Sequence, residues 1–115
     1  MVETVNKLLT EQQLWDDIWS TVEEPWLFLP DRIWVHHVWA ELFRTLLPPA
    51  PATCLEIGCG GSPYLPWFAG ELGLTVAGLD YSARGLELCE NGLRKLGVTG
   101  RLIQGDSFAM TKTAG

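Results

Sequence analysis

Basic residues are scarce in this 115-residue sequence. Eight Lys and Arg stand against fourteen Asp and Glu, a formal net charge of −6. No Lys/Arg cluster interrupts that balance, which argues against phosphate-backbone binding as a main task and so against a nucleic-acid partner. Long hydrophobic runs are missing as well. None approaches the ~18 residues that span a bilayer, so no membrane partner is expected. The N-terminus, Met1-Val2-Glu3-Thr4-Val5, carries an early acid and no apolar leader core. Cysteine is limited to Cys54, Cys59 and Cys89, with no C-x-x-C pair. That spacing fits neither a disulfide framework nor a zinc site, and the expectation is reduced thiols in a cytoplasmic protein. Charged residues make up 19% and hydrophobic residues 47%, a globular balance and not a disordered one. At ~150 residues per domain the length allows one domain at most.

Tryptophan is plentiful, and five of the six lie before residue 48: Trp15, Trp19, Trp26, Trp34 and Trp39. This divides the chain into a helical extension (1–47), a Pro-rich connector (48–52) and a Gly-, Leu- and Val-rich remainder (53–115). Thr10-Glu11-Gln12-Gln13 fits a capping box, with Leu9 and Leu14 placed as a hydrophobic staple. Leu14, Ile18 and Val22 then share a face, with Trp15 and Trp19 beside them. Asp31 is placed to cap a second helix over residues 32–47. Its apolar doublets, Trp34/Val35, Val38/Trp39, Leu42/Phe43 and Leu46/Leu47, form a wide stripe that calls for burial. Between the two helices Pro25 and Pro30 bracket Trp26-Leu27-Phe28-Leu29, a loop suited to a mobile lid. Pro48-Pro49-Ala50-Pro51 is a stiff break that no helix interior tolerates.

Beyond the connector the pattern alternates. Thr53-Cys54-Leu55-Glu56-Ile57 reads as a strand buried on both faces. A helix over residues 63–72 follows, with Ser62 as its cap and Pro66 forcing a late start or a kink. Thr75-Val76-Ala77-Gly78-Leu79 is a second strand ending at Asp80. Ser82 caps a helix reaching Leu96, with Leu86, Cys89, Leu93 and Leu96 on one face, although Gly85 and Gly92 weaken it. Gly97 stops that helix. Arg101-Leu102-Ile103-Gln104 is a third strand. The order β-α-β-α-β is that of an α/β fold with a parallel sheet and right-handed crossovers.

Gly58-Cys59-Gly60-Gly61-Ser62 falls between the first strand and its helix. Glycine there permits unusual dihedrals and lets a ligand approach backbone. Free N–H groups at the following helix start would favour an anionic group. A turn at the carboxyl end of a first strand is the usual ligand crevice of open α/β sheets. A dinucleotide fingerprint fails at its third glycine, which is Pro63, and a phosphate loop fails for want of a Gly-Lys pair.

The segment Leu55-Glu56-Ile57-Gly58-Cys59-Gly60-Gly61 resembles the first motif of class I S-adenosylmethionine-dependent methyltransferases. Val76-Ala77-Gly78-Leu79-Asp80-Tyr81-Ser82 is similar to that family's second strand with its terminal acid. Ile103-Gln104-Gly105-Asp106-Ser107 is similar to the third. The three segments occur in the family's order, and the resemblance covers residues 53–108. It implies a Rossmann-like sheet of which this chain holds the N-terminal part, and S-adenosylmethionine as cofactor. Gly58 and Gly60 would line the methionine portion, with Cys59 between them in the same binding set. Glu56 would organise the ammonium end. Asp80 would accept from both ribose hydroxyls, with Tyr81 beside the ribose or adenine. Asp106 would accept from the adenine amino group, with Ser107 and Phe108 flanking the ring. Ser62 stands where the family often has a third glycine.

The bland readings stand beside these. Asp80 also suits a helix cap, and Gly105-Asp106-Ser107 also suits an ordinary turn. Glu56 lies in an apolar strand, where an unpaired carboxylate is costly, so it needs a partner. His36 and His37 are helix neighbours that point apart and cannot jointly hold a metal. The tryptophans read first as core, with Trp15, Trp19 or Trp26 as pocket wall the alternative. The family sheet has seven strands and this sequence supplies three, which would leave the first strand at an open edge able to pair with another copy. The expectation is a truncated methyltransferase acting on a small-molecule acceptor, with no catalytic acid or base identified. An NAD-type oxidoreductase fragment and a non-catalytic interaction module are the alternatives.

Overall fold

A computed structural model describes residues 12–106. The residues expected to cap the first helix, Leu9 and Thr10, and the adenine-flanking Ser107 and Phe108 lie outside the described residues. The elements run α1 (Gln12–Ser20), α2 (Trp34–Leu46), β1 (Thr53–Ile57), α3 (Tyr64–Gly70), β2 (Thr75–Asp80), α4 (Ala83–Lys95) and β3 (Arg101–Gln104). The three strands form one parallel sheet in the order β1-β2-β3. The described chain is therefore mixed α/β, with β2 in the centre. No described helix is long and apolar enough to cross a membrane.

Strand alternation and register put Cys54, Glu56, Val76, Gly78 and Leu102 on one sheet face. Both crossover helices pack there. Leu65 of α3 stands over Gly78, and Leu93 of α4 packs beside Val76. Leu65, Phe68, Val76, Leu86, Cys89 and Leu93 belong to one buried cluster, which Phe28 and Trp67 extend towards α2. Pro66 is tolerated because it is the third residue of α3, where an amide N–H would have no helical partner. Pro63 holds the cap position without a side-chain bond, and Ser62, one residue earlier, accepts the Tyr64 N–H on its Oγ at 3.1 Å. Ser82 caps α4 by accepting the Gly85 N–H at 3.1 Å, and Gly97 at φ +68° ends it.

The opposite face departs from the sequence reading. β1 was expected to be buried on both faces, yet Leu55 and Ile57 are 54% and 63% exposed. The reason is topological. β1 is an edge strand, and α3 and α4 gather on the other side. The second helix differs too. It starts at Trp34, its preceding residue Ile33 makes no side-chain cap, and Asp31 lies in a turn outside it. Of its apolar stripe, Ala40 is buried and Phe43 packs against the core, whereas Trp34 stays 79% exposed and Val35, Val38, Trp39, Leu42 and Leu46 are also exposed. In α1 the face that packs is not Leu14, Ile18 and Val22; Ile18 is exposed, and Trp19 and Asp16 make the contacts. The loop read as a lid is anchored. Phe28 is buried edge-on against Tyr64 and Trp67, and His36 Nδ1 accepts the Leu29 N–H at 3.0 Å.

This core makes a stability prediction. Leu65 is fully buried, so Leu65→Ala should cost about 2–5 kcal/mol. Leu55→Ala, on the uncovered face, should stay within roughly 0.5 kcal/mol. Urea unfolding measures both, and equal losses would contradict the assignment of the two faces.

Candidate functional site

The carboxyl ends of β1 and β2 meet at the glycine turn. Gly58 and Gly60 have φ of +73° and +47°, a region that side-chain-bearing residues rarely adopt, and they turn the chain sharply off β1. The turn is tied to β2 by its own amides. Gly58 and Cys59 N–H both donate to the Leu79 carbonyl, at 2.7 and 3.1 Å, and Ser62 N–H donates to the Cys59 carbonyl. Gly60 N–H donates to Asp80 Oδ2 at 2.8 Å. Asp80 Oδ1 accepts the Ser82 N–H at 2.8 Å. One carboxylate thus holds the glycine turn and the entry to α4 together. The sequence offered a ligand role or a helix cap for Asp80; Ser82 is the residue that caps α4, while Asp80 accepts the Ser82 N–H and keeps acceptor capacity, since each carboxylate oxygen has about two lone-pair sites.

A cleft of about 240 Å³ opens beside this clamp, lined by Trp15, Trp19, Gly58, Gly60, Asp80 and Tyr81. Four of these were read as site residues from the sequence. Trp15 and Trp19 are the alternative reading of the tryptophans realised: they wall the cleft and are not core. Their spacing of four, one helical turn, is the sequence feature that places them together. Gly58 is the open part of the floor, with nothing within 4 Å of the position a Cβ would take. Burial raises the Tyr81 pKa, a hydrogen bond with Trp15 opposes the shift, and Asp80 and Asp106 add to it. Tyr81 is therefore a neutral phenol at physiological pH. Asp106 is close enough to Tyr81 to be felt electrostatically but does not line the cleft.

Glu56 and Cys59 lie beneath the turn. Glu56 Oε1 accepts the Ser62 hydroxyl at 3.2 Å, which supplies the partner its strand position called for. Its Oε2 is buried without a hydrogen-bond partner. Burial raises the Glu56 pKa, Ser62 opposes this, and the Asp80 charge adds to it. Cys59 keeps only its backbone in the turn. Its thiol hydrogen-bonds to Cys89, and that bond together with burial pushes its pKa far above the ordinary thiol range. It is not a nucleophile. The free N–H groups expected at the start of the next helix are also spoken for, because Ser62 Oγ takes the Tyr64 N–H. Anion binding there loses its donors.

The chain matches no family model and no curated protein. The chemistry of the site must stand on its own residues. These are an acidic, aromatic-walled cleft with a backbone floor, able to accept hydrogen bonds from a ligand and to stack against it.

The raised Glu56 pKa fixes the sign of a pH effect. A carboxyl whose folded pKa lies above its ordinary 4.5 binds its proton more tightly when folded. Its contribution to stability is full below pH 4.5 and is lost as pH rises through the folded value. Glu56→Gln should remove this loss, so the variant gains on the native protein in urea unfolding as pH rises above 4.5. A difference that stays constant with pH would contradict the burial of this carboxyl.

Proposed function

We propose that this chain binds S-adenosylmethionine in the cleft and forms the cofactor-binding part of a methyltransferase with a Rossmann-like sheet. The observation that carries the reading is one juxtaposition: the acid closing β2 stands over the glycine turn closing β1, in a single cleft with Tyr81 and Trp15.

Three features fit the cofactor. Asp80 retains acceptor sites for two ribose hydroxyls. Gly58 offers floor that no side chain fills. The buried, unpartnered Glu56 Oε2 suits a cationic donor such as the ammonium end. A fourth feature separates this ligand from a dinucleotide. The N–H groups of Gly58, Cys59, Gly60 and Ser62 are all consumed within the protein, so the turn has few donors left for a pyrophosphate. S-adenosylmethionine has none to bind.

When bound, the cofactor supplies an activated methyl group, so the protein's task is to position it and to exclude water. Asp80 orients the ribose, while Tyr81 and Trp15 shield its surroundings. Asp106 lies near Tyr81 outside the cleft lining, so the adenine role that the resemblance gave it has no support in this site. The acidic charge favours a small-molecule acceptor over nucleic acid. No described side chain is assigned as general acid or base. A second reading, an interaction module that pairs through β1, draws support from the uncovered Leu55 and Ile57.

Calorimetric titration with S-adenosylmethionine, S-adenosylhomocysteine and NADH tests the proposal. The first two should bind and NADH should not. Asp80→Ala should weaken binding at least tenfold, about 1.4 kcal/mol, since it removes charged acceptors. Urea unfolding of that variant separates lost binding from lost folding. A well-folded native chain that binds neither sulfur ligand would overturn the proposal and favour the interaction module; binding of NADH alone would favour the dinucleotide alternative.

A further inference from the structure

The Trp19 indole packs directly on the glycine turn. A Cβ on Gly60 would stand 2.5 Å from its Cζ2, and one on Gly61 would stand 2.9 Å from its Cζ3. Next to Gly60, a Cβ on Gly85 of α4 would stand 3.1 Å from its Nε1. Three glycines therefore cradle one ring, and no space is left between the ring and residues 60–61. The cleft beside it, about 240 Å³, is smaller than the about 300–1,000 Å³ of pockets that enclose small organic ligands.

The helix carrying this ring has no fully buried residue. Asp16 Oδ1 fastens it to the start of α4, accepting the Ser82 hydroxyl at 2.6 Å and the Arg84 N–H at 3.5 Å, and Trp15 hydrogen-bonds to Tyr81. The following segment is held separately. Arg84 donates to the Val22 carbonyl at 2.8 Å, Lys95 pairs with Glu24 at 3.0 Å, and Pro25 is buried. A pivot near residue 21 would free α1 and leave those contacts intact. Elements with few buried contacts are the ones that open first.

We propose that α1 is a gate on this cleft, with Trp19 as its plug and the Asp16–Ser82 hydrogen bond as its latch. The gate rests on the reading of the cleft as a ligand site and adds how that site is entered. The ring must leave residues 60–61 before a nucleoside-sized ligand can occupy the floor. The latch ends on Ser82, whose N–H is held by Asp80, so opening and ligand contact meet at two hydrogen-bonded residues.

Amide hydrogen exchange of the free protein tests the movement, and stopped-flow binding of S-adenosylhomocysteine tests its consequence. The amides of α1 should exchange at least tenfold faster than those of α4. Asp16→Ala should accelerate α1 by about a further tenfold and leave α4 unchanged, since a hydrogen bond to a charged group is lost. The association rate should rise in Asp16→Ala and in Trp19→Phe, which keeps an apolar ring but shortens the plug. Exchange in α1 as slow as in α4, or insensitive to Asp16→Ala, would overturn the gate, as would association rates unchanged in both variants. Exchange decides whether α1 opens even if no ligand binds, so a silent titration counts against the reading of the site alone.

Discussion

The two hydrogen bonds accepted by Asp80 organise the carboxyl end of this molecule's sheet. Its carboxylate stands where β2 stops and holds the Gly60 amide on one side and the Ser82 amide on the other. Each such bond to a charged acceptor is worth about 1.5–3 kcal/mol. Together they fix the strained glycine turn against the sheet and start α4 at a defined place. Ser82, set by this clamp, in turn caps α4 and receives Asp16. The cleft is therefore bounded by elements that one side chain brings into register.

Much of this was legible in the sequence because it is local. The strands Thr53–Ile57 and Arg101–Gln104 follow from apolar runs bounded by turn residues, and α4 from a cap, a periodic apolar face and a terminal glycine. Glu56, Gly58, Gly60, Asp80 and Tyr81 were legible as a constellation because strand ends in a parallel sheet converge at one edge. What was not legible depends on partners distant in sequence. Nothing local tells that Trp19 lies on Gly60, or that Cys59 turns its thiol to Cys89. The burial of β1 was misread for the same reason. A run such as Leu55-Glu56-Ile57 has the composition of a strand covered on both faces; its edge position was expected, but not that both helices would lie on one side of it.

The apolar surface left over has a physical consequence. Parallel sheets are ordinarily covered on both faces, and here one face keeps Leu55 and Ile57 in contact with water. The helix α2 adds a stripe headed by Trp34. Surface of this kind favours association, so ligand measurements belong at protein concentrations where the chain is monodisperse. The tryptophans divide along the same line. Trp67 belongs to the core, Trp15 and Trp19 to the cleft, and Trp34 and Trp39 to the uncovered stripe.

The central claim is that the Asp80 clamp and the glycine turn beside it form the ligand site. Amide chemical-shift mapping with S-adenosylhomocysteine tests it most directly, because the clamped amides report on Asp80 itself. The account predicts that the Gly58, Gly60, Tyr81 and Ser82 amides move together on one binding curve. Shifts centred instead on the separate cavity between Phe43, Arg44 and Leu72, or no shift in a folded chain, would contradict it.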